Sequence, residues 1–414
     1  AQCIDYPRDK LKVYLLDDGK RSEFAVFAAD VGVGYITRDD NSHAKAGNLN
    51  HAMKITKGEL ICIFDCDHVA TRTFLQATVG PFLKDPKLAL LQTPHYFYSP
   101  DPFERNLRAA RTIPNEGALF YGPVQQGNDN WNATFFCGSC AVIRRSALEE
   151  IGGFAVETVT EDAHTALKMQ RLGWGSAFLA IPLAAGLATE RLGLHVVQRN
   201  RWARGMTQIF RVDNPLFGRG LKWQQRLCYL NAMLHFQFGL PRVAFLTAPL
   251  AYLLFNLNII HSSASLIFAY VLPHLVMSLY VNSRMNGKFR YTFWGEIYET
   301  VMCFHLVIPT LLTMLAPKRG KFNVTDKGGL LDQGFFDFHI VRPHVIVAVL
   351  LTIGIVAGVV RAVAHDYFGV DPYVIALNVG WAVFSLIILM AAIAVARETK
   401  QVRKTIRIEV QIPA

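Results

Sequence analysis

Four apolar runs in the second half of the chain, at about 241–260, 264–282, 343–363 and 373–396, each approach the roughly 20 residues a helix needs to cross a bilayer. They decide the class of protein. Charges are confined to the breaks between these runs, whereas up to about residue 240 charged and apolar residues mix as in a soluble α/β domain. A fifth apolar stretch, 300–316, is ambiguous. If it spanned, the Lys/Arg-rich segment 317–327 and the basic C-terminus would lie on opposite sides. With four spans every basic cluster shares one face, so residues 292–316 are expected to form an interfacial helix. The net charge of +10 then reads as cytoplasmic flanks of membrane helices. No recognition motif accompanies it, so the expected partner is a lipid bilayer and not nucleic acid.

Two short apolar runs end in carboxylates: residues 12–17, closing on Asp17, and residues 60–65, closing on Asp65. Both read as buried parallel strands, with further strands expected at 34–37 and 88–92 and helices between them. Such alternation predicts a doubly wound α/β sheet whose ligands collect beyond the strand ends. Asp17, Asp18, Asp65 and Asp67 would share one rim. No G-x-G-x-x-G follows the first strand, which excludes a dinucleotide dehydrogenase. Seven cysteines without regular spacing are no disulfide framework. The Cys137–Cys140 pair reads as a buried strand end, since no second Cys or His pair stands at zinc-ligand spacing.

Four features could carry chemistry, and each has a plain alternative. Asp65-Cys66-Asp67 can bridge one divalent cation to a diphosphate, or can be a solvated strand-end turn. Lys45, before Ala46 and Gly47, suits a phosphate or simply opens a helix. Thr160-Glu161-Asp162 precedes a helical pattern, where an acid either favours the helix dipole or serves as a general base. Gln198-Arg199-Asn200-Arg201-Trp202 joins a cation able to grip phosphate to an indole able to stack on a sugar. A basic aromatic patch before a membrane span is also an ordinary interfacial anchor.

Taken in order, Asp17-Asp18-Gly19, Asp65-Cys66-Asp67, Thr160-Glu161-Asp162 and Gln198–Trp202 resemble the signature of processive β-glycosyltransferases. Residues 135–139 (Phe-Phe-Cys-Gly-Ser) and 322–328 (Phe-Asn-Val-Thr-Asp-Lys-Gly) narrow the resemblance to the catalytic subunits of cellulose synthases. It implies a GT-A fold over residues 1–220, lacking its first strand. Transmembrane and interfacial helices forming a channel would follow over 221–396, with a gating loop at 317–333, and then the start of a truncated PilZ domain at 397–414. Asp18 or its neighbour Asp17 would hold the uridine of UDP-glucose, with Lys45 near the nucleotide. Asp65 and Asp67 would serve the donor and its Mg²⁺, and Asp162, beside Glu161, would be the base. Gln198, Arg199 and Arg201 belong to the donor-binding motif, with Arg201 on the pyrophosphate and Trp202 stacked on the acceptor glucose. Phe136, Cys137 and Gly138 would line the acceptor site, while Phe322, Val324, Thr325 and Lys327 form the gating loop.

Arg403 and Arg407 fit half of a cyclic di-GMP site, and Glu190 is the expected partner of Arg403 when that activator is absent. A bacterial inner-membrane location, with the catalytic domain in the cytosol, follows from the same likeness, as does a periplasmic partner subunit. The expected product is a growing β-1,4-glucan. Another β-glycan (hyaluronan, chitin or a mixed-linkage glucan) and a non-catalytic membrane channel or scaffold are the alternatives. The chain opens in mid-domain without an initiator Met and reads as a fragment.

Overall fold

The computed structural model describes residues 1–109, 112–258, 262–318, 331 and 333–400. The expected strands form. β1 (Tyr14–Leu16) and β2 (Gly34–Ile36) pair in parallel. β3 (Leu60–Ile63), β4 (Leu88–Gln92), β5 (Ala141–Arg144) and β6 (Gly175–Phe178) make a four-stranded sheet in the spatial order β3-β5-β4-β6. Two features differ from the all-parallel expectation. β1 does not pair with β3 among the described residues, although both border the same large cavity. And β5 runs antiparallel to both its neighbours. That reversal has a use, because it sets the start of β5 beside the end of β3, Ala141 opposite Ile63. Residues 136–139 therefore meet Asp65 at the rim.

β4 is buried along its whole length, as a continuous apolar strand covered on both faces must be. Of the helices α1 (Ala44–Ile55), α2 (Pro102–Asn106), α3 (Glu161–Arg171) and α4 (Leu192–Val212), all but α2 pack on the sheet core, and α2 lies against α4. Leu90 and Ile143 of the sheet, Leu167 of α3 and Met206 and Ile209 of α4 form one core. Each such side chain contributes roughly 1.5–3 kcal/mol by leaving water.

Among the described residues, five helices are long and apolar enough to cross a membrane. The first, Trp223–Phe255, includes α5 (Gly239–Phe255). The others are α6 (Ala264–Asn286), α7 (Thr292–Leu315), α8 (Phe338–Val363) and α9 (Pro372–Val395). So α7, expected at the interface, meets the same criterion as the four expected spans. It differs from them in what it touches. Half of its most apolar window is buried, partly against α4: Met302 and Leu306 pack with Val196 and Ala203. α6, by contrast, buries none of its residues and is apolar nearly all round, the pattern of a helix facing hydrocarbon. Some of the polar groups among these helices pair with one another, as a low-dielectric setting favours. His344 Nε2 lies 2.8 Å from the Thr300 carbonyl, and Arg242 pairs with Glu296 at 2.5 Å. Beyond α7, β7 (Phe335–Phe336) pairs antiparallel with β8 (Arg397–Glu398), which directly follows α9.

Candidate active site

The two acids after β1 are held in place. Asp17 is buried and accepts from the backbone amides of Gly19 and Arg21 at 2.9 and 3.0 Å, from Arg21 Nη2 at 2.7 Å and from the Tyr35 hydroxyl at 2.9 Å. The Arg21 guanidinium, against the opposing effect of burial, holds its carboxyl well below the usual range. Ionised Asp17 therefore stabilises the fold above the ordinary Asp range, and that contribution is lost as pH falls through the depressed value. Asp18 receives Arg38 through both oxygens, from Nε and Nη2 at 2.7 Å each. A bidentate pair of this kind fixes direction as well as distance.

The second rim position follows β3. Burial alone would raise the Asp65 carboxyl, but Lys45 prevails and lowers it. Lys45 Nζ donates to Asp65 and, at 2.6 Å, to the Gly138 carbonyl. Ser139 Oγ accepts from the Asp65 amide at 2.9 Å. Asp65, Asp67 and His68 each offer one ligand atom, all within 4.8 Å of one another. Two carboxylates suit a hard divalent cation, and the half-buried setting leaves room for phosphate oxygens to complete its shell. These residues fit the metal that the sequence implies.

The base candidate sits opposite. Asp162 is the second residue of α3, and its Oδ1 accepts from the Ala163 amide at 2.8 Å. Burial raises its carboxyl, while the nearby positive charges of Lys45 and Arg201 oppose the shift. Glu161 is likewise raised, by burial and by the charge of Asp162 beside it. An elevated carboxyl is a better proton acceptor near neutrality. Gly138 is what lets the backbone reach this point. Its φ is +88°, and a Cβ there would lie 3.2 Å from Asp162 Oδ2 and 3.9 Å from Lys45 Nζ. Gly138→Ala should therefore strain the backbone by about 1–3 kcal/mol and displace the base, lowering both the melting temperature and turnover. Unchanged values of both would show that the close approach is not required.

α4 supplies the third part. Gln198, Arg201 and Trp202 border the same cavity as Asp65 and Asp162. Arg199 borders it too and makes further contacts of its own. Its guanidinium sits 4.1 Å from the centre of the Trp202 ring and pairs with Glu116, whose carboxylate also lies 3.2 Å from His195 Nε2. Arg199 thus backs Trp202 with one face and spends its charge on Glu116. Phe136 also borders the cavity, while being almost wholly buried and packed on Phe154. Cys137 takes its backbone partner from Gln92 (2.9 Å), and burial pushes its thiol well up, away from thiolate chemistry. Glu190 does not border the cavity, although Thr189 does. Phe322, Val324, Thr325, Lys327, Arg403 and Arg407 lie outside the described residues.

Sequence reasoning missed Glu116, His68 and His95. His68 follows the Asp65–Asp67 pair directly and could have been found by that adjacency. His95 meets the Ser139 carbonyl at 2.9 Å, and burial lowers it to about 4, so it is neutral near pH 7. No spacing marks it or Glu116.

Residues 60–316 match the family described as glycosyl transferase family group 2. The chain belongs to that family. Within glycosyl transferase family group 2, it is 60% identical over 413 residues to the cellulose synthase catalytic subunit (UDP-forming) of Pseudomonas fluorescens (strain SBW25). It is 57% identical over 413 residues to the cellulose synthase 1 catalytic subunit (UDP-forming) of Komagataeibacter xylinus. Each alignment takes in all of this chain but only 56% and 55% of the relative, so the chain spans about half their length. A mannosyltransferase from Pyrobaculum calidifontis, solved in complex with GDP-Man and Mn²⁺, superposes with a TM-score of 0.51 at 20% identity, covering 77% of this chain and 81% of that one. The catalytic half is therefore a GT-A-like glycosyltransferase fold, followed by the apolar helices.

Proposed function

We propose that the chain is the catalytic core of a processive, inverting transferase that builds β-1,4-glucan from UDP-glucose and passes the product through its membrane helices. One observation carries this reading. Asp17, Asp65, Asp162 and Trp202 border a single cavity of about 2560 Å³ that continues to Trp294 and Met302 of α7. That is several times the volume a small-molecule site needs, and it joins a donor site to the membrane helices. The names of the relatives support cellulose over hyaluronan, chitin or mixed-linkage products.

Asp162 takes the proton of the acceptor O4 hydroxyl as that oxygen attacks the anomeric carbon of UDP-α-glucose. The new C–O bond forms on the face opposite the nucleotide, so the configuration inverts, by the stereochemical logic of single displacements. The bond to the phosphate oxygen breaks, and UDP departs with its electron pair toward Arg201. Trp202, backed by Arg199, gives the acceptor ring a flat apolar face. Mg²⁺ held by Asp65 and Asp67 supplies positive charge to the diphosphate when bound. Membranes carrying the enzyme should release UDP from UDP-glucose and much less from UDP-N-acetylglucosamine or UDP-glucuronate. Release from none of the three would favour the scaffold reading.

The same reading places the protein in the bacterial inner membrane, with the catalytic half in the cytosol and α7 along the interface. Its burial against α4 and its charged Glu296 and Glu299 support that placement. Phe322, Val324, Thr325 and Lys327 would cover bound nucleotide, and a periplasmic subunit would receive the glucan. Cyclic di-GMP would bind Arg403 and Arg407 and release Arg403 from Glu190. An exposed pair is worth only about 0–1 kcal/mol, so the latch needs partial burial, and Glu190 is half-buried. Glu190→Ala should raise basal synthesis while cyclic di-GMP binding stays unchanged. A variant that remains fully dependent on the nucleotide would leave Arg403 and Arg407 as binding residues only.

A further inference from the structure

The helix that carries Gln198–Trp202 starts without a cap of its own. Its N-cap residue, Arg191, makes no side-chain capping hydrogen bond. The first turn of a helix leaves amide donors unsatisfied, and a buried one left so costs about 1–3 kcal/mol. Here the missing acceptor comes from the far end of the chain. Glu398 Oε1 accepts from the Leu192 amide at 2.5 Å, across 206 residues of sequence. Its other oxygen receives Arg105 Nη2 at 2.6 Å and Asn106 Nδ2 at 3.3 Å from the end of α2. Glu398 is 2% exposed. Asn106 also donates to the Val395 carbonyl, the last residue of α9, at 2.8 Å. The Glu398 backbone is itself held in the pairing with Phe335.

We propose that Glu398 is a positioning residue: a cap supplied from a distant part of the chain that fixes the start of the catalytic helix to the segment leaving the last membrane helix. A carboxylate suits this seat for two reasons, the helix dipole and the neighbouring Arg105 guanidinium. Leu192 lies six residues before Gln198, so about 9 Å of rigid helix separates the clasp from the site. Tilting α4 at its start moves Trp202 and Arg201 relative to Asp162, and a 1 Å error in such a geometry can cost about 10²-fold in rate. In the proposed reaction Arg201 acts on the diphosphate mainly as UDP departs, while the uridine and metal sit on the sheet rim, which the clasp does not touch. The effect therefore falls on turnover more than on donor binding.

This inference rests on the reading of α4 as the helix that grips the leaving group and acceptor. Kinetics of the intact enzyme in membranes separate the two. Glu398→Ala should lower kcat about ten- to a hundredfold, with KM for UDP-glucose within about twofold. Glu398→Gln, whose side-chain carbonyl still accepts from the Leu192 amide but whose NH2 cannot accept from Arg105 and Asn106, should recover part of the loss. Hydrogen exchange in Glu398→Ala should quicken in the peptide covering residues 192–196 and stay unchanged in β4. If Trp202→Ala and Asp162→Asn abolish synthesis while Glu398→Ala turns over normally, the clasp is overturned and the function stands. If Trp202→Ala and Asp162→Asn turn over normally, the function itself fails. A Gln variant as slow as the Ala variant, with wild-type exchange at 192–196, also overturns the clasp.

Discussion

Asp162→Asn should slow glucan synthesis by about 10²–10⁴-fold, the usual worth of a positioned base. Asn preserves the shape of the side chain and its acceptor for the Ala163 amide, so the fold around α3 should survive. What it removes is the lone pair that takes the acceptor proton. UDP binding, measured by calorimetry, should change little, because no donor contact depends on that proton. The pH profile gives a second, independent reading. The Asp162 carboxyl is raised by burial, and only its ionised form accepts a proton. Wild-type kcat should therefore fall on the acid side at a pH above the ordinary Asp range of about 3.9. The coupled Glu161 carboxyl makes the limb a property of the pair. Near-normal turnover in the variant would remove Asp162 from its role.

Loss of the metal should be as severe. Asp67→Ala takes one of three clustered ligand groups and should cost about 10²–10³-fold, corresponding to the several kcal/mol a cation contributes to a departing diphosphate. Donor affinity and turnover should fall together, unlike the pattern for Asp162. Excess EDTA should abolish wild-type synthesis, and Mg²⁺ or Mn²⁺ should restore it. Synthesis that continues under chelation would return Asp65-Cys66-Asp67 to the plain turn.

Much of the rim was legible because strand chemistry is local. Apolar runs closing on Asp17 and Asp65 identify strands and the edge where they end, whatever the partners are. Lys45, Asp162 and Trp202 could be named from motif order, yet nothing in their spacing said that a glycine at positive φ, Gly138, joins Lys45 to Asp162. That contact depends on β5 running antiparallel, which the sequence pattern does not specify. Arg199 shows the limit from the other side. As a basic residue in a phosphate-binding motif it read as a substrate ligand, and it does border the cavity, but no spacing announced its pairing with Glu116, 83 residues away. Glu398 fell within the segment 397–414 read as the start of a PilZ domain, because a cap given from a distant part of the chain leaves no signature beside the helix it caps. The membrane half was the most legible in extent and the least in detail. Apolar length gives each helix, whereas the burial of α7 and the exposure of α6 depend on which neighbours pack.

The central claim is that one cavity makes a β-1,4-linked glucan from UDP-glucose. Its most direct measurement supplies radiolabelled UDP-glucose to membranes containing the intact enzyme and digests the insoluble product with linkage-specific hydrolases. A polymer that a β-1,4-glucanase converts fully to soluble sugars, and that Asp162→Asn does not make, is the predicted result. A polymer that resists this enzyme but yields to a β-1,3-glucanase or a chitinase, or UDP release with no polymer, would contradict it.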